Sequence, residues 1–170
     1  LLESSIRAVK SLRDVAIDHL RLGEQVRKDR LPQYEKFNAD GQYFSLEPNY
    51  VKSGEPFTNM GRITGIGSLD GRSEQFYQEL EMLFELSLSF PVAKEAAPKA
   101  SSIYYVSKRK MMSYFPWNNS EQRFREEQLT KQQFQLATPK LNPQRNAFWS
   151  PAYVDGGEQG LLTTLGLPVY

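Results

Sequence analysis

The chemistry this sequence concentrates is aromatic. Tyr104, Tyr105, Tyr114, Phe115, Trp117, Phe148, Trp149 and Tyr153 fall in two stretches, with Arg123 between them and Asp155 just beyond. Rings supply apolar walls, phenol and indole groups supply hydrogen-bond donors, a guanidinium can hold an anion and a carboxylate an ammonium. That combination suits reversible binding of a small polar organic ligand rather than bond-breaking. The candidate ligand-contacting residues are Tyr114, Trp117, Arg123, Trp149, Tyr153 and Asp155, with Arg123 as anion partner and Asp155 as acceptor for an ammonium or other donor. The alternative reading of the same residues is an aromatic-rich sheet core whose tyrosine hydroxyls are hydrogen-bonded at its rim.

Catalytic groups are scarce by comparison. The single histidine, His19, lies in a predicted helix and reads as structural. Cysteine is absent, which excludes disulfides, thiolate nucleophiles and zinc-thiolate sites. Glu79 with Glu81 and Glu126 with Glu127 read as solvated helix faces, so no metal site and no cofactor is predicted. Gly65, Gly67 and Gly71 miss the spacing of a dinucleotide-binding turn, and no P-loop lysine accompanies them. The chain is therefore expected not to be an enzyme by itself. With 21 basic against 20 acidic residues there is no net field to attract nucleic acid, which is not an expected partner.

The elements that must position the aromatic residues follow from periodicity and turn chemistry. Residues 1 to about 37 are nearly free of glycine and proline and predict a long helix, with apolar edges through Leu2, Ile6, Val9, Ala16 and Leu20 and through Leu12, Val15, Leu22 and Val26. Such a helix packs on its own domain or also dimerises as a stalk. Residues 38–72, dense in turn-forming pairs, predict an irregular segment. Ser73 is the predicted N-cap of an amphipathic core helix carrying Phe76, Leu80, Leu83, Phe84 and Leu88 and ending at Pro91, with a second, shorter turn around Val92–Ala97. Ser102–Ser107 and Met111–Phe115 predict a strand, a basic turn and a strand. Asn118, Asn119 and Ser120 are predicted caps of a polar surface helix over about 121–135. From Phe148 to Tyr170, two stretches rich in aromatic and β-branched residues flank Gly156, Gly157 and Gly160 and predict an antiparallel hairpin. A hairpin of this kind normally has its edge covered, so a further sheet strand is expected beyond Tyr170.

Tyr104-Tyr105-Val-Ser107, Tyr114-Phe-Pro-Trp117, Phe148-Trp-Ser-Pro-Ala-Tyr-Val-Asp155 and Thr163-Thr-Leu-Gly-Leu-Pro-Val-Tyr170 together resemble the Cache sensor domains of bacterial membrane receptors, over about residues 73–170. The resemblance implies an α+β fold with a PAS-like antiparallel sheet flanked by helices. It also implies a periplasmic location in an inner-membrane parent, and a long N-terminal helix that rises from a membrane span and contributes to a homodimer. Tyr153 and Asp155 match the Tyr-x-Asp element of amino-acid-binding double-Cache domains, in which the aspartate binds the ligand ammonium. Gln122-Arg123-Phe124-Arg125 keeps an arginine of the carboxylate-binding element but lacks its Trp-Tyr pair. The motif combination is most similar to the sensors of diguanylate cyclases and hybrid histidine kinases.

The expected organisation is thus a stalk or dimerisation helix over 1–37 and a PAS-like sensor domain over 38–170. The expected function is extracytoplasmic sensing of a small polar ligand, amino-acid-like or carboxylate, with the signal carried by the N-terminal helix to a cytoplasmic cyclase or kinase. The competing expectation is a periplasmic protein-interaction module that takes a partner protein and no small molecule.

Overall fold

A computed structural model describes residues 2–22, 34–39, 42–48, 61–117, 123–154 and 160–170. The chain is α+β. A five-stranded sheet runs in the order β1 (Tyr34–Ala39), β2 (Tyr43–Pro48), β3 (Arg62–Ile66), β5 (Met111–Phe115), β4 (Ile103–Ser107), with every described pairing antiparallel. Two helices cover one face: α2 (Glu74–Ala96) lies on the sheet, and α1 (Leu2–Leu22) packs against α2.

Alternation along the strands decides which side chains face the helices. Phe44, Leu46, Ile63, Met111, Ser113 and Phe115 point to α2 and are buried with its Phe76, Leu80, Leu83 and Phe90. Tyr43, Ser45, Arg62, Thr64, Met112, Tyr114 and Tyr104 line the opposite face, by the cross-strand pairs that place them side by side. Helix α2 begins as its sequence dictates: Ser73 Oγ accepts the Phe76 N–H at 3.2 Å, and Glu74 sits in the first turn. It is buried on more than one side, since the sheet takes one flank and α1 another. Helix α1 offers a narrower contact, with Ala16 fully buried and Leu12 packed on the core.

Several expectations are corrected. Helix α1 covers Leu2–Leu22, and strand β1 (Tyr34–Ala39) begins at Tyr34, where the helix expected over 1–37 was still to run, and ends in the segment expected to be irregular. The supposedly irregular segment 38–72 contains β2 and β3. Pairing with β5 and burial of Phe44, Leu46 and Ile63 stabilise these strands although their local sequence is turn-rich. Helix α2 does not end at Pro91 but continues to Ala96. Proline removes the N–H that would bond the Ser87 carbonyl one turn back. That carbonyl accepts instead from Gly61 N at 3.0 Å, so the acceptor is satisfied by the sheet. Of the polar helix expected over 121–135, the described part from Arg123 holds a 3-10 turn (Glu126–Leu129) and a single α-turn, α3 (Gln132–Gln135), while the predicted caps Asn118, Asn119 and Ser120 lie outside the described residues. Its strongest structural contact lies upstream of both, where the backbone of Phe124 docks on the sheet.

The C-terminal hairpin is present and carries an irregularity. β6 (Phe148–Trp149) pairs with β9 (Leu165–Gly166), and β7 (Tyr153–Val154) with β8 (Leu161–Leu162). Between the two pairings, Ser150-Pro151-Ala152 opposes Thr163-Thr164, so one strand carries an extra residue, a β-bulge. Ser150 bridges it: its N–H donates to Thr164 O at 2.8 Å, and its Oγ accepts from Thr164 N at 2.9 Å. Thr163 Oγ1 also donates to Ser150 O at 2.7 Å. Gly156 and Gly157, expected at the hairpin tip, lie outside the described residues. Among the described residues no helix is long and apolar enough to cross a membrane.

Candidate functional site

The face of the sheet opposite α2 carries a row of side chains across three strands. Arg62 on β3 stands opposite Tyr114 on β5, which in turn stands opposite Tyr104 on β4. The Tyr104 and Tyr114 rings stack with centroids 6.0 Å apart and planes 10° from parallel. The Arg62 guanidinium lies over the Trp117 ring, 4.7 Å from its centroid. The strand β5 and the Pro116 that follows it hold Tyr114 and Trp117 at the same end of the face.

The described segment from Arg123 onward docks on this face. Phe124 is buried, and its N–H donates to Thr64 Oγ1 at 2.8 Å in the middle of β3. A buried threonine hydroxyl on a strand otherwise needs a partner, and here it anchors the covering loop. Arg123, next to it, places its guanidinium 4.9 Å from the centroid of Tyr43. At the Tyr104 end, the hairpin takes over. Thr164 Oγ1 lies 3.1 Å from Tyr104 Oη and 2.8 Å from Tyr153 Oη, forming a node of three hydroxyls between β4 and the hairpin.

Burial pushes the Tyr104 phenol above its ordinary range; proximity to Tyr153 and Tyr114 raises it further, and the hydrogen bond with Thr164 opposes the rise. On the helix face Tyr105 is also raised, first by burial and then by Glu79, whose carboxylate accepts its hydroxyl at 2.8 Å and pairs with Arg109 Nε at 3.0 Å. Both phenols therefore stay neutral in the fold where an exposed tyrosine ionises. The sign of the consequence is fixed: above about pH 10 the unfolded chain releases protons that the folded chain retains, so stability falls as pH rises and is unaffected below that range. Tyr104→Phe is expected to make the alkaline decline shallower, by up to about 1.4 kcal/mol per pH unit, in urea denaturation between about pH 8 and 11. An unchanged slope contradicts the burial of this phenol.

The predicted contact residues separate into two groups. Tyr114, Trp117 and Tyr153 belong to the covered face, and Arg123 is exposed at its Tyr43 end. Trp149, on β6, is 43% exposed. Asp155 lies outside the described residues. Sequence reading missed Arg62, Tyr104 and Thr164. Tyr104 was within reach, because a turn centred on Arg109 places it opposite Tyr114; Arg62 was not, because the short apolar piece near Ile63–Ile66 carries no local sign that it pairs with β5.

The Arg62 guanidinium lies against the Trp117 indole, and a guanidinium is a planar fork whose N–H donors match a carboxylate. Stacked phenols beside it offer ring surface and hydroxyl donors. The face thus brings together a guanidinium, stacked ring surface and hydroxyl groups. No family model, no curated protein and no solved structure matches the chain.

Proposed function

We propose that this chain is an extracytoplasmic ligand-sensing domain of a bacterial transmembrane receptor, binding a small carboxylate-bearing or amino-acid-like molecule on the face of its sheet opposite α2. The observation that carries the reading is the row Arg62, Tyr114, Tyr104 with Trp117 against the guanidinium, on the sheet face opposite α2. The resemblance of its Tyr-Phe-Pro-Trp and Phe-Trp-Ser-Pro-Ala-Tyr-Val-Asp elements to Cache sensors supports the same reading. In it, α1 carries the response toward the membrane, pairs with its counterpart in a homodimer, and the output domain is a diguanylate cyclase or a histidine kinase.

The test is thermal denaturation against a panel of amino acids and small mono- and dicarboxylates. A ligand present at a hundred times its Kd adds about 2.7 kcal/mol, which for a chain of this size raises Tm by roughly 5–10 °C. Arg62→Lys keeps the charge but removes the planar fork, and is expected to lower the affinity for the stabilising compound at least about tenfold. A panel with no stabilising member, or an Arg62→Lys variant that responds like the parent, counts against the proposal.

A second reading has its own observation. Trp149, Val154 and Leu161 are 43%, 79% and 71% exposed on the hairpin, an apolar surface of the kind a protein partner covers. In that reading the covered face is a packed interior, and the ligand panel gives no shift.

A further inference from the structure

Thr164 occupies an unusual position: its side chain belongs to the tyrosine face and its backbone belongs to the element that meets α1. Its Oγ1 is bonded to Tyr104 on the main sheet and to Tyr153 on the hairpin. Its N–H and C=O are both taken by Ser150 across the bulge. The next two residues, Leu165 and Gly166, are β9, which packs on α1, and Val169 shortly after packs on the core. Gly166 is pressed beneath the Phe148 ring so closely that a Cβ would fall 2.3 Å from it. The backbone from Thr163 to Gly166 is therefore clamped to the opposite strand and moves as one piece.

We propose that Thr164 is the coupling residue of this domain, translating a change at the Tyr104–Tyr153 hydroxyls into a displacement of β9 against α1. The inference rests on the sensing function proposed above for what supplies that change. Hydrogen accounting shows how a ligand acts there. Three hydroxyls carry three hydrogens, and the two bonds converging on Thr164 use two of them. A ligand whose oxygens accept from both Tyr104 and Tyr153 takes two of the three hydrogens, and the one left on Thr164 sustains only one of its two bonds, so the Thr164 hydroxyl loses a partner. A β-branched side chain has few χ1 alternatives. Repartnering therefore shifts the clamped backbone rather than the hydroxyl alone, and α1 feels it through β9. Both sites bias one shared element, which is the physical requirement for coupling.

The experiment needs no ligand. Amide hydrogen exchange is measured by mass spectrometry on the parent chain, on Thr164→Val, which keeps the branched shape and removes the hydroxyl, and on Tyr153→Phe, which removes a single hydroxyl from the node. Loss of one such hydrogen bond is expected to speed exchange about fivefold or more in the hairpin and in the part of α1 that meets β9, with α2 between Leu80 and Phe90 unchanged. Faster exchange confined to the hairpin overturns the proposal, because the node then ends there. Acceleration of α2 together with α1 also overturns it, because that reports general loss of stability. An absence of any change in both variants overturns it as well. Since these readouts are taken on the free protein, they can fail while the ligand panel succeeds, and the reverse.

Discussion

Truncation of Phe90 to alanine is expected to cost about 3–5 kcal/mol of folding free energy, the largest effect of any single side chain considered. Phe90 is 2% exposed and lies among the side chains that join α2 to the sheet, with Gly61 at the start of β3 directly against its ring. The lost ring leaves a cavity whose walls cannot collapse easily: Gly61 is tied to Ser87 by its N–H, and Ser87 to Ser113 through their hydroxyls at 2.6 Å. With a urea dependence of about 2 kcal/mol per molar, the midpoint should fall by roughly 2 M. Leu88 on the same helix provides the control, being 47% exposed. Its truncation should cost under about 1 kcal/mol. Comparable costs at the two positions would mean that α2 is oriented differently on the sheet.

The parts of this fold that were legible in the sequence are those fixed by local chemistry. Ser73 announced α2 because a serine before an apolar-periodic run has one strong use, and it caps Phe76 as that use requires. The β4–β5 pair was legible because alternation on both sides of a basic turn leaves little else for the segment to do. There Lys110 adopts a φ of 64°, and its N–H closes the turn on Ser107 O at 3.1 Å. The C-terminal hairpin was legible from its glycines and β-branched residues. Its bulge was not, because the side-chain bonds of Ser150, Thr163 and Thr164 that stabilise it are indistinguishable in sequence from ordinary surface polarity.

What escaped was whatever depends on distant partners. β2 and β3 read as loop because turn residues dominate their neighbourhood, yet Phe44, Leu46 and Ile63 find α2 and bury completely. Pro91 read as a helix end because proline cannot supply the intrahelical bond. The sheet supplies the missing donor through Gly61, a residue thirty positions upstream. The same limitation shaped the site. Tyr114, Trp117 and Tyr153 were identified by residue type, whereas Arg62 and Thr164 acquire their roles from cross-strand register and from the hairpin's approach to β4.

The Gly61 position makes the second large prediction, and one that isolates a cause. A Cβ at Gly61 would lie 2.5 Å from Ser113 Oγ and 2.9 Å from a Phe90 ring carbon. Neither neighbour yields freely. Ser87 donates its only hydroxyl hydrogen to Leu83 O at 2.6 Å, so in the Ser87–Ser113 bond it is Ser113 that donates. Rotating Ser113 Oγ away from a new methyl breaks that buried bond, and shifting the backbone instead pulls Gly61 N from Ser87 O, the carbonyl that Pro91 leaves open. Gly61→Ala is therefore expected to cost about 2–3 kcal/mol by overpacking, against the few tenths usual for a tolerated glycine replacement. Ser113→Ala alone removes one donor and leaves the Ser87–Leu83 bond intact, at a cost of about 1 kcal/mol. Combined, the two substitutions should be less damaging than their sum by about 1 kcal/mol, because the hydroxyl that obstructs the methyl is gone, while the Phe90 contact keeps the rescue incomplete. Additive costs in urea denaturation would show that the Phe90 ring, and not the serine pair, sets the space available at the start of β3.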